Sequence, residues 1–383
     1  MSVNLFEAFN LSGTALRNRI VMAPMTRSRA PHDIADERTA LYYAQRATAG
    51  LIVTEGTPIS REGQGYLFNP GIYTAAQISG WKLTTDSVHA AGGKIFAQLW
   101  HVGRLSHPTL QIDEQLPVSP SSRRAEGAKA FAYDSNGKPG LVDVPVPRVL
   151  KNYEIPRLVA DFAQAAKNAM AAGFDGIEIH AANGYLIEQF LNPLVNDRND
   201  EYAASTVNGR LRFPLEVIDA VVAAIGRDRV GIRLSPYGQL FDMPSYPDID
   251  ATYIALAEAI GTRQLAYVHL MNQSGFARAD RGTQSSTGDG FFGLMQAIKR
   301  RLPDTALILA GGMTRARAEE LIGSDMIDLA AFGKDFISNP DLVGRLQHGW
   351  PLSEADPATF YGGDATGYID YPSYREDKSS AKS

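Results

Sequence analysis

The sequence predicts an α/β fold of one kind, a (β/α)8 TIM barrel with a long loop insertion after its third strand. Three observations predict it. Eight short, β-rich apolar runs recur along the chain. Segments of helical periodicity separate most of them. Residues of unusual polarity or size stand in or just after every run, and the C-terminal ends of barrel strands are where such folds do chemistry.

The elements follow in order. Leu5 to Arg19 precedes the first run and reads as a short hairpin covering the bottom of the barrel. The runs are Ile20 to Ala23, Leu51 to Thr54, Lys94 to Leu99, Gly176 to Ile179, Val230 to Leu234, Ala266 to Leu270, Ala306 to Leu309 and Ile327 to Phe332. Nearly unbroken apolar strands are buried on both faces, which fits a parallel sheet under helices. A doubly wound open sheet is the alternative for the same count. Tyr153 to Ala172 places Ile155, Leu158, Phe162, Ala165, Ala166 and Ala169 on one stripe, with Gly173 as a stop. Leu211 to Ile225 repeats the pattern, with Leu215, Ile218 and Val222 expected inward. Val102 to Asn152 is rich in Pro, Gly and Ser. A connection of that length inside a compact domain is usually functional, so 102–152 reads as an insertion or lid over the site. The chain thus reads as a single barrel over residues 1–383, with a tail at 375–383 expected to fray.

Bulk properties remove several function classes. Thirty-seven Lys and Arg against 42 Asp and Glu give a net charge of −5, with no basic stretch. Nucleic acid and anionic membrane are therefore not expected partners. No apolar run approaches the roughly 18 residues of a membrane helix. The N-terminus lacks a basic segment followed by an apolar one, so a cytoplasmic location is expected. There is no cysteine, which excludes disulfides, thiolate catalysis and Cys-ligated zinc or iron–sulfur clusters. The seven histidines show no metal-ligand spacing, and no metal site is expected.

The strand ends carry the functional argument. They are Pro24-Met25-Thr26, Glu55-Gly56, Gln98 with Trp100-His101, His180 followed by Ala181-Ala182-Asn183-Gly184-Tyr185, Arg233, His269, Ala310-Gly311-Gly312 and Gly333-Lys334. Glycines after strand seven, with Thr314 opening a helix, let backbone N–H groups approach an anion, and Lys334 adds a cation. A tight turn and a solvated lysine would give the same residues. Arg233 inside an apolar run needs an anion or several acceptors. A nearby carboxylate is one explanation, and a ring that becomes anionic on reduction is another. Gln98 offers a donor and an acceptor to a planar amide edge. Together they suit the pyrimidine end of a flavin. His180 and Asn183, three apart, would share a face of a helical turn. They would offer two neutral donors to an oxygen gaining charge, although a structural His–Asn pair is equally compatible. Tyr185 adds a removable proton.

Longer stretches point to a known family. Ile179-His180-Ala181-Ala182-Asn183-Gly184-Tyr185-Leu186-Ile187-Glu188-Gln189-Phe190-Leu191 resembles the H-x-x-N-G-Y-L signature of the Old Yellow Enzyme family. Asn18 to Thr26, Ala97 to Arg104, Phe332 to Leu342 and Phe360 to Gly363 are similar to further motifs of that family, in the same order, over about residues 4 to 374. The resemblance implies an FMN-dependent, NAD(P)H-consuming ene-reductase of the NADPH dehydrogenase type. Pro24, Met25, Thr26, Gly56, Gln98, His180, Arg233, Gly311, Gly312, Gly333 and Lys334 would then bind FMN. His180 and Asn183 would hold the substrate oxygen, Tyr185 would protonate the α-carbon, and Trp100, Tyr66 and Tyr361 would line the substrate side. NADPH or NADH would reduce the flavin and leave before the alkene binds, and flavin N5 would deliver hydride to the β-carbon. The substrate implied is a small activated alkene, an α,β-unsaturated aldehyde or ketone, a maleimide or a nitroalkene. A monomer or homodimer is implied.

The chain departs from the family at two places. Lys334 stands where arginine is usual, and Asp200 to Arg210 loses two glycines and gains a residue. Two other readings compete. Another phosphate-binding barrel enzyme would want a strand-end Schiff-base lysine or paired carboxylates, for which only Lys334 and Glu55 offer themselves. A non-catalytic flavin-binding protein would have no need of His180, Asn183 and Tyr185 together.

Overall fold

The computed structural model describes residues 4–273 and 287–374; the expected frayed tail at 375–383 lies outside them. Eight parallel strands close into a barrel. They are β1 (Ile20–Met22), β2 (Leu51–Pro58), β3 (Ile95–Trp100), β4 (Gly176–Ala181), β5 (Val230–Leu234), β6 (Tyr267–Met271), β7 (Ala306–Ala310) and β8 (Leu329–Phe332). Closure is made by β8 on β1, with Ala330 opposite Ile20 and Phe332 opposite Met22. The helices are α1 (Glu37–Ala44), α2 (Ala75–Ala90), α3 (Ile155–Ala171), α4 (Leu186–Leu191), α5 (Val207–Ile225), α6 (Ile249–Arg263), α7 (Thr287–Lys299), α8 (Arg315–Gly323), α9 (Lys334–Ser338) and α10 (Leu342–His348). Each of the eight runs is a barrel strand, and the open-sheet alternative is excluded by the closure.

Alternation along the strands sorts the interior into layers. The lower layer is apolar: Val53, Phe96 and Tyr267 pack with Leu51 and Val21. Glycines make room for the rings, since a Cβ on Gly176 would lie 2.4 Å from the Phe96 ring and one on Gly231 would lie 2.2 Å from that of Tyr267. Two residues further along, the inward positions are Gln98, Glu178, Arg233 and His269, with Glu178 in register with Gln98 and Arg233 with His269. A polar layer therefore sits above an apolar one, and Trp100 and His180 stand above both. The expected hairpin forms from Phe9–Leu11 and Thr14–Leu16. Its Leu11 and Leu16 join the lower apolar layer and close the bottom.

The outer helices follow their stripes. α3 buries Ile155, Leu158, Phe162, Ala165, Ala166 and Ala169, and the chain turns at Gly173 with φ +88°. α5 is a correction. Leu215 and Val222 are only half-buried, and the inner stripe is Leu211, Phe213, Pro214, Val217, Ile218 and Val221. The helix starts four residues earlier than expected, capped by Thr206. Phe213 packs on Phe190 with ring centroids 4.3 Å apart, which rotates the stripe. The 102–152 connection is more ordered than its composition suggests. It contains a hairpin, Lys129–Tyr133 with Pro139–Asp143, and a two-strand pair, Val118–Ser119 with Arg148–Val149. Ala128, Ala130 and Ala132 pack with Trp100 and Tyr185, so the insertion leans on the C-terminal rim.

Phe162 is fully buried between α3 and the barrel. Phe162→Ala is expected to lower stability by about 3–5 kcal/mol, measured by urea unfolding; a loss under about 1 kcal/mol would contradict this packing.

Candidate active site

A cavity of about 620 Å³ opens at the C-terminal ends of the strands. All sixteen residues that the sequence singles out as catalytic, cofactor-binding or substrate-binding line it. They come from every strand end except those of β6, together with Tyr66 and Tyr361 from loops.

One half is built from backbone and cations. Gly311 and Gly312 have φ of +112° and +59°, a left-handed pair after β7. A side chain on Gly311 would meet the Asn272 carbonyl at 2.1 Å. Thr314 caps α8, its side chain accepting from the Arg317 N–H. Gly333 faces open space, the nearest atom to a built Cβ being Met25 Sδ at 3.8 Å. Lys334 is exposed at the rim, its ammonium 5.9 Å from the Phe360 ring centre. Gly56 has a different reason to be glycine. A Cβ there would lie 2.4 Å from the Trp100 indole, so the residue is small because of the tryptophan. A register shift between β2 and β3 at Val53 to Gly56 creates that contact.

Below this half lies the buried polar layer. Gln98 Nε2 donates to Glu178 at 2.7 Å, and His269 Nδ1 lies 2.8 Å from the other carboxylate oxygen. A carboxylate only accepts, so Gln98 must turn its amide nitrogen to Glu178 and keep its carbonyl oxygen free. Burial raises the Glu178 carboxyl, but His269, Arg233 and Gln98 outweigh it and hold the group below its usual range. Burial lowers the His269 imidazole, against the pull of Glu178. The carboxylate expected near Arg233 is therefore present, but it is not hydrogen-bonded to the arginine. Arg233 Nη2 touches Met271 Sδ at 3.4 Å, and its Nε is buried with no partner. A buried guanidinium with a free N–H beside a cavity calls for an acceptor. The flat, acceptor-rich edge of a flavin and the phosphate of its side chain match this half, so the residues present fit FMN.

The other half is aromatic and neutral. Trp100 stacks on Tyr66 at 5.5 Å and on His180 at 6.1 Å, and meets Tyr185 edge-on at 4.8 Å. Burial, with Arg233 and His269 nearby, lowers His180 well below the usual imidazole value. The Ala182 N–H points at His180 Nδ1 from 3.3 Å, so Nδ1 is the acceptor and Nε2 carries the proton. The Asn183 carbonyl oxygen accepts from Gln273 at 2.9 Å, which leaves the Asn183 amide hydrogens to donate. Gln273 is fixed in turn, its oxygen taking the N–H groups of Gln239 and Leu240. Burial pushes the Tyr185 phenol well above its usual value, with Tyr66 adding to the shift across an O···O distance of 3.4 Å. The phenol therefore keeps its proton at neutral pH.

His180 and Asn183 do not share a helical turn. His180 is the last residue but one of β4, Asn183 and Gly184 are left-handed with φ of +58° and +78°, and α4 starts only at Leu186. Nothing in the sequence points to Phe241, which packs against Tyr185 at 5.7 Å, or to Gln273, which aims Asn183. Neither lies in a motif or a strand run. Acids are scarce in the cavity. Asp335 is the sole carboxylate among the described lining residues, while Glu55 is turned away to the Arg27 N–H and Asn69. Paired-carboxylate chemistry has no basis here.

Residues 4–353 match the profile of the NADH:flavin oxidoreductase / NADH oxidase family. The chain belongs to that family. Its relatives include a 12-oxophytodienoate reductase of Oryza sativa subsp. japonica, 41% identical over 384 residues (98% of this chain, 96% of that protein). Another is a 12-oxophytodienoate reductase of Arabidopsis thaliana, 38% identical over 380 residues (97% and 96%). Among solved structures, morphinone reductase in complex with tetrahydroNAD superposes with a TM-score of 0.90 at 43% identity, covering 97% of each chain. The old yellow enzyme homologue from Zymomonas mobilis gives 0.88 at 37% (97% and 99%). These place the chain among the Old Yellow Enzyme proteins as an FMN-dependent oxidoreductase using a nicotinamide reductant. Among the described residues, no helix is long and apolar enough to cross a membrane.

The lowered imidazole has a direct readout. The ¹⁵N shifts of His180 are expected to stay those of a neutral Nε2–H tautomer from pH 8 down to pH 6. Protonation with a midpoint near 6.5 would contradict the burial argument.

Proposed function

We propose that the protein is an NAD(P)H-dependent ene-reductase acting on the activated C=C bond of α,β-unsaturated aldehydes, ketones, maleimides or nitroalkenes. One observation carries the reading. Two neutral donors, His180 Nε2–H and the Asn183 amide, and one proton-bearing phenol, Tyr185, line a single aromatic cavity beside the glycine and Arg233 half. Support also comes from the names of relatives, 12-oxophytodienoate reductase and morphinone reductase.

Bound FMN supplies the transfer of an electron pair from the nicotinamide to the alkene. Pro24, Met25, Thr26, Gly56, Gln98, His180, Arg233, Gly311, Gly312, Gly333 and Lys334 would hold it. Arg233 would offer its positive charge to FMN as the ring gains electrons, and Glu178 beneath keeps the buried layer close to neutral. His180 and Asn183 hold the carbonyl or nitro oxygen, and charge gathering there strengthens both hydrogen bonds. Tyr185 then releases its proton to the α-carbon. Its raised pKa suits an acid that must stay protonated until carbanion character develops. Trp100, Tyr66 and Tyr361 wall the substrate, and Phe241 closes on Tyr185. The 102–152 insertion, packed on Trp100 and Tyr185, would limit substrate size and water entry.

The purified protein is expected to carry FMN at about one per chain and to oxidise NADPH or NADH in step with 2-cyclohexenone reduction. Absence of flavin after reconstitution with FMN would remove the reading. Tyr185→Phe is expected to slow reoxidation by 2-cyclohexenone by about 10²-fold or more while sparing reduction by the nicotinamide. Equal slowing of both half-reactions would assign Tyr185 a structural role.

A further inference from the structure

Behind the cavity wall a carboxylate lies buried with no cation bonded to it. Glu188, on α4, is 4% exposed. It accepts from the Gly184 N–H, from the Ser235 hydroxyl at 2.7 Å and from the Tyr253 hydroxyl at 3.0 Å. Ser235 Oγ in turn accepts from the Asn183 N–H at 2.7 Å. The two N–H groups belong to the consecutive left-handed residues of the turn after β4. A left-handed asparagine is an uncommon conformation that needs support. Successive N–H groups in such a turn form a concavity that attracts an anion. Glu188 fills that role from inside the protein, directly at Gly184 and through Ser235 at Asn183. The turn carries Asn183 and leads into Tyr185, and both line the cavity while Glu188 does not.

We propose that Glu188 is a positioning residue, whose carboxylate holds the Asn183–Gly184 turn and so aims Asn183 and Tyr185 at the substrate. The inference rests on the reading of Asn183 as an anchor for the substrate oxygen. Glu188 touches neither substrate nor cofactor and acts through the backbone.

The surroundings make this hold dependent on pH. Glu188 faces Ser235 from the end of β5, Tyr253 from α6, and Tyr246 and Tyr237 across a water-sized void of about 10 Å³. The Tyr246 hydroxyl is buried without a partner, and Tyr237 is bonded to Asp250. The Arg210 guanidinium lies beyond Tyr246, 5.5 Å from its ring, and its nearest carboxylate is that of Asp248. No cation among the described residues offsets the charge directly. Burial therefore outweighs the three donors and pushes the Glu188 carboxyl up to about 7. Above that pH the carboxylate accepts all three bonds. Below it the proton sits on one carboxyl oxygen, which weakens that oxygen as an acceptor and adds a donor that needs a partner of its own. Fold stability runs the other way. A carboxyl with a raised pKa in the folded state makes a contribution that is full below its unfolded value and is lost as pH rises through about 7. Positioning and stability thus have opposite pH dependences, and a purely structural role has only the second.

The test uses the FMN-loaded full chain, reduced and then reoxidised by 2-cyclohexenone in single turnovers from pH 6 to 8.5. The parent is expected to bind cyclohexenone tightest near pH 8, with the dissociation constant rising about 3- to 10-fold by pH 6, the effect of about one hydrogen bond. Glu188→Gln should show the weaker constant at every pH, with a melting temperature at pH 8 equal to or above the parent's. Ser235→Ala keeps the charge but cuts the link to Asn183, and should weaken cyclohexenone at pH 8 by a similar factor. Asn183→Ala tests the underlying reading and should weaken it at every pH. If Asn183→Ala weakens binding while Glu188→Gln keeps the parental constant, the proposal is overturned. A pH profile that persists in Glu188→Gln belongs to Glu55, also pushed up to about 7 by burial, and overturns it as well. If Asn183→Ala binds like the parent, the anchor reading itself fails. Should Glu188→Gln not take up FMN, Ser235→Ala decides, and a parental constant there refutes the proposal.

Discussion

Closure of β8 onto β1 is the constraint on which the rest depends. Eight parallel strands in a closed barrel leave no open edge of unpaired backbone groups. Parallel order brings all eight C-terminal ends to one rim. Met25 and Gly333, far apart in sequence, become neighbours there because Met22 and Phe332 are paired a few residues earlier. A cavity assembled from so many strands needs no long-range design beyond that pairing. Small and large residues facing each other at Gly176 with Phe96, and at Gly231 with Tyr267, keep the barrel narrow enough to fill below and open above.

The layer between those two regions carries charge in a place that resists it. Glu178 and Arg233 are both inside the barrel, and neither is exposed to solvent enough to be screened. Gln98 and His269 occupy the carboxylate, and Arg233, which lines the cavity, is left with a buried Nε–H that has no partner. Removing solvent from a cation while withholding a direct partner favours an external acceptor at that point. The neighbouring aromatic half achieves the reverse. Burial drives His180 and Tyr185 to their neutral forms, so their hydrogen atoms are available as donors. The cavity is thus divided between a half that favours negative charge and a half that supplies neutral donors and a proton.

The C-terminal segment is joined to this arrangement by arginines bonded to carbonyl groups. Arg27 donates to the backbone oxygens of Phe360, Thr359 and Gly367, and Arg29 to those of Asp364, Thr366 and Thr359. Both guanidinium groups lie about 5 Å from the Tyr368 ring. This holds Phe360 and Tyr361 at the mouth of the cavity although no barrel strand carries them.

Much of this architecture is legible in the order of the residues. Strand positions, the α3 stripe and the bottom hairpin follow from periodicity, because a strand or helix buries residues at fixed spacing. The family motifs are short and contiguous, and they carry most of the site residues with them, while Gly56, Tyr66, Arg233, Gly311 and Gly312 lie outside them. The α5 stripe departs from its periodicity because its phase is set by Phe213 meeting Phe190, a contact between elements. The 102–152 segment reads as a loop because its strands are two to five residues long and pair with each other and not with the barrel. At Asn183 a spacing of three fits a helix, yet Gly184 and the anchor at Ser235 allow the left-handed form. Gln273 and Phe241 lie outside any pattern, and Glu188, inside the stretch that resembles the family, has no role assigned there. The sequence by itself determined which segments are strands and helices, which faces most of them bury, and which motif residues reach the rim. Tertiary structure alone decided the protonation state, the tautomer and the aim of each side chain, since those depend on burial and on hydrogen-bond partners brought in from other strands.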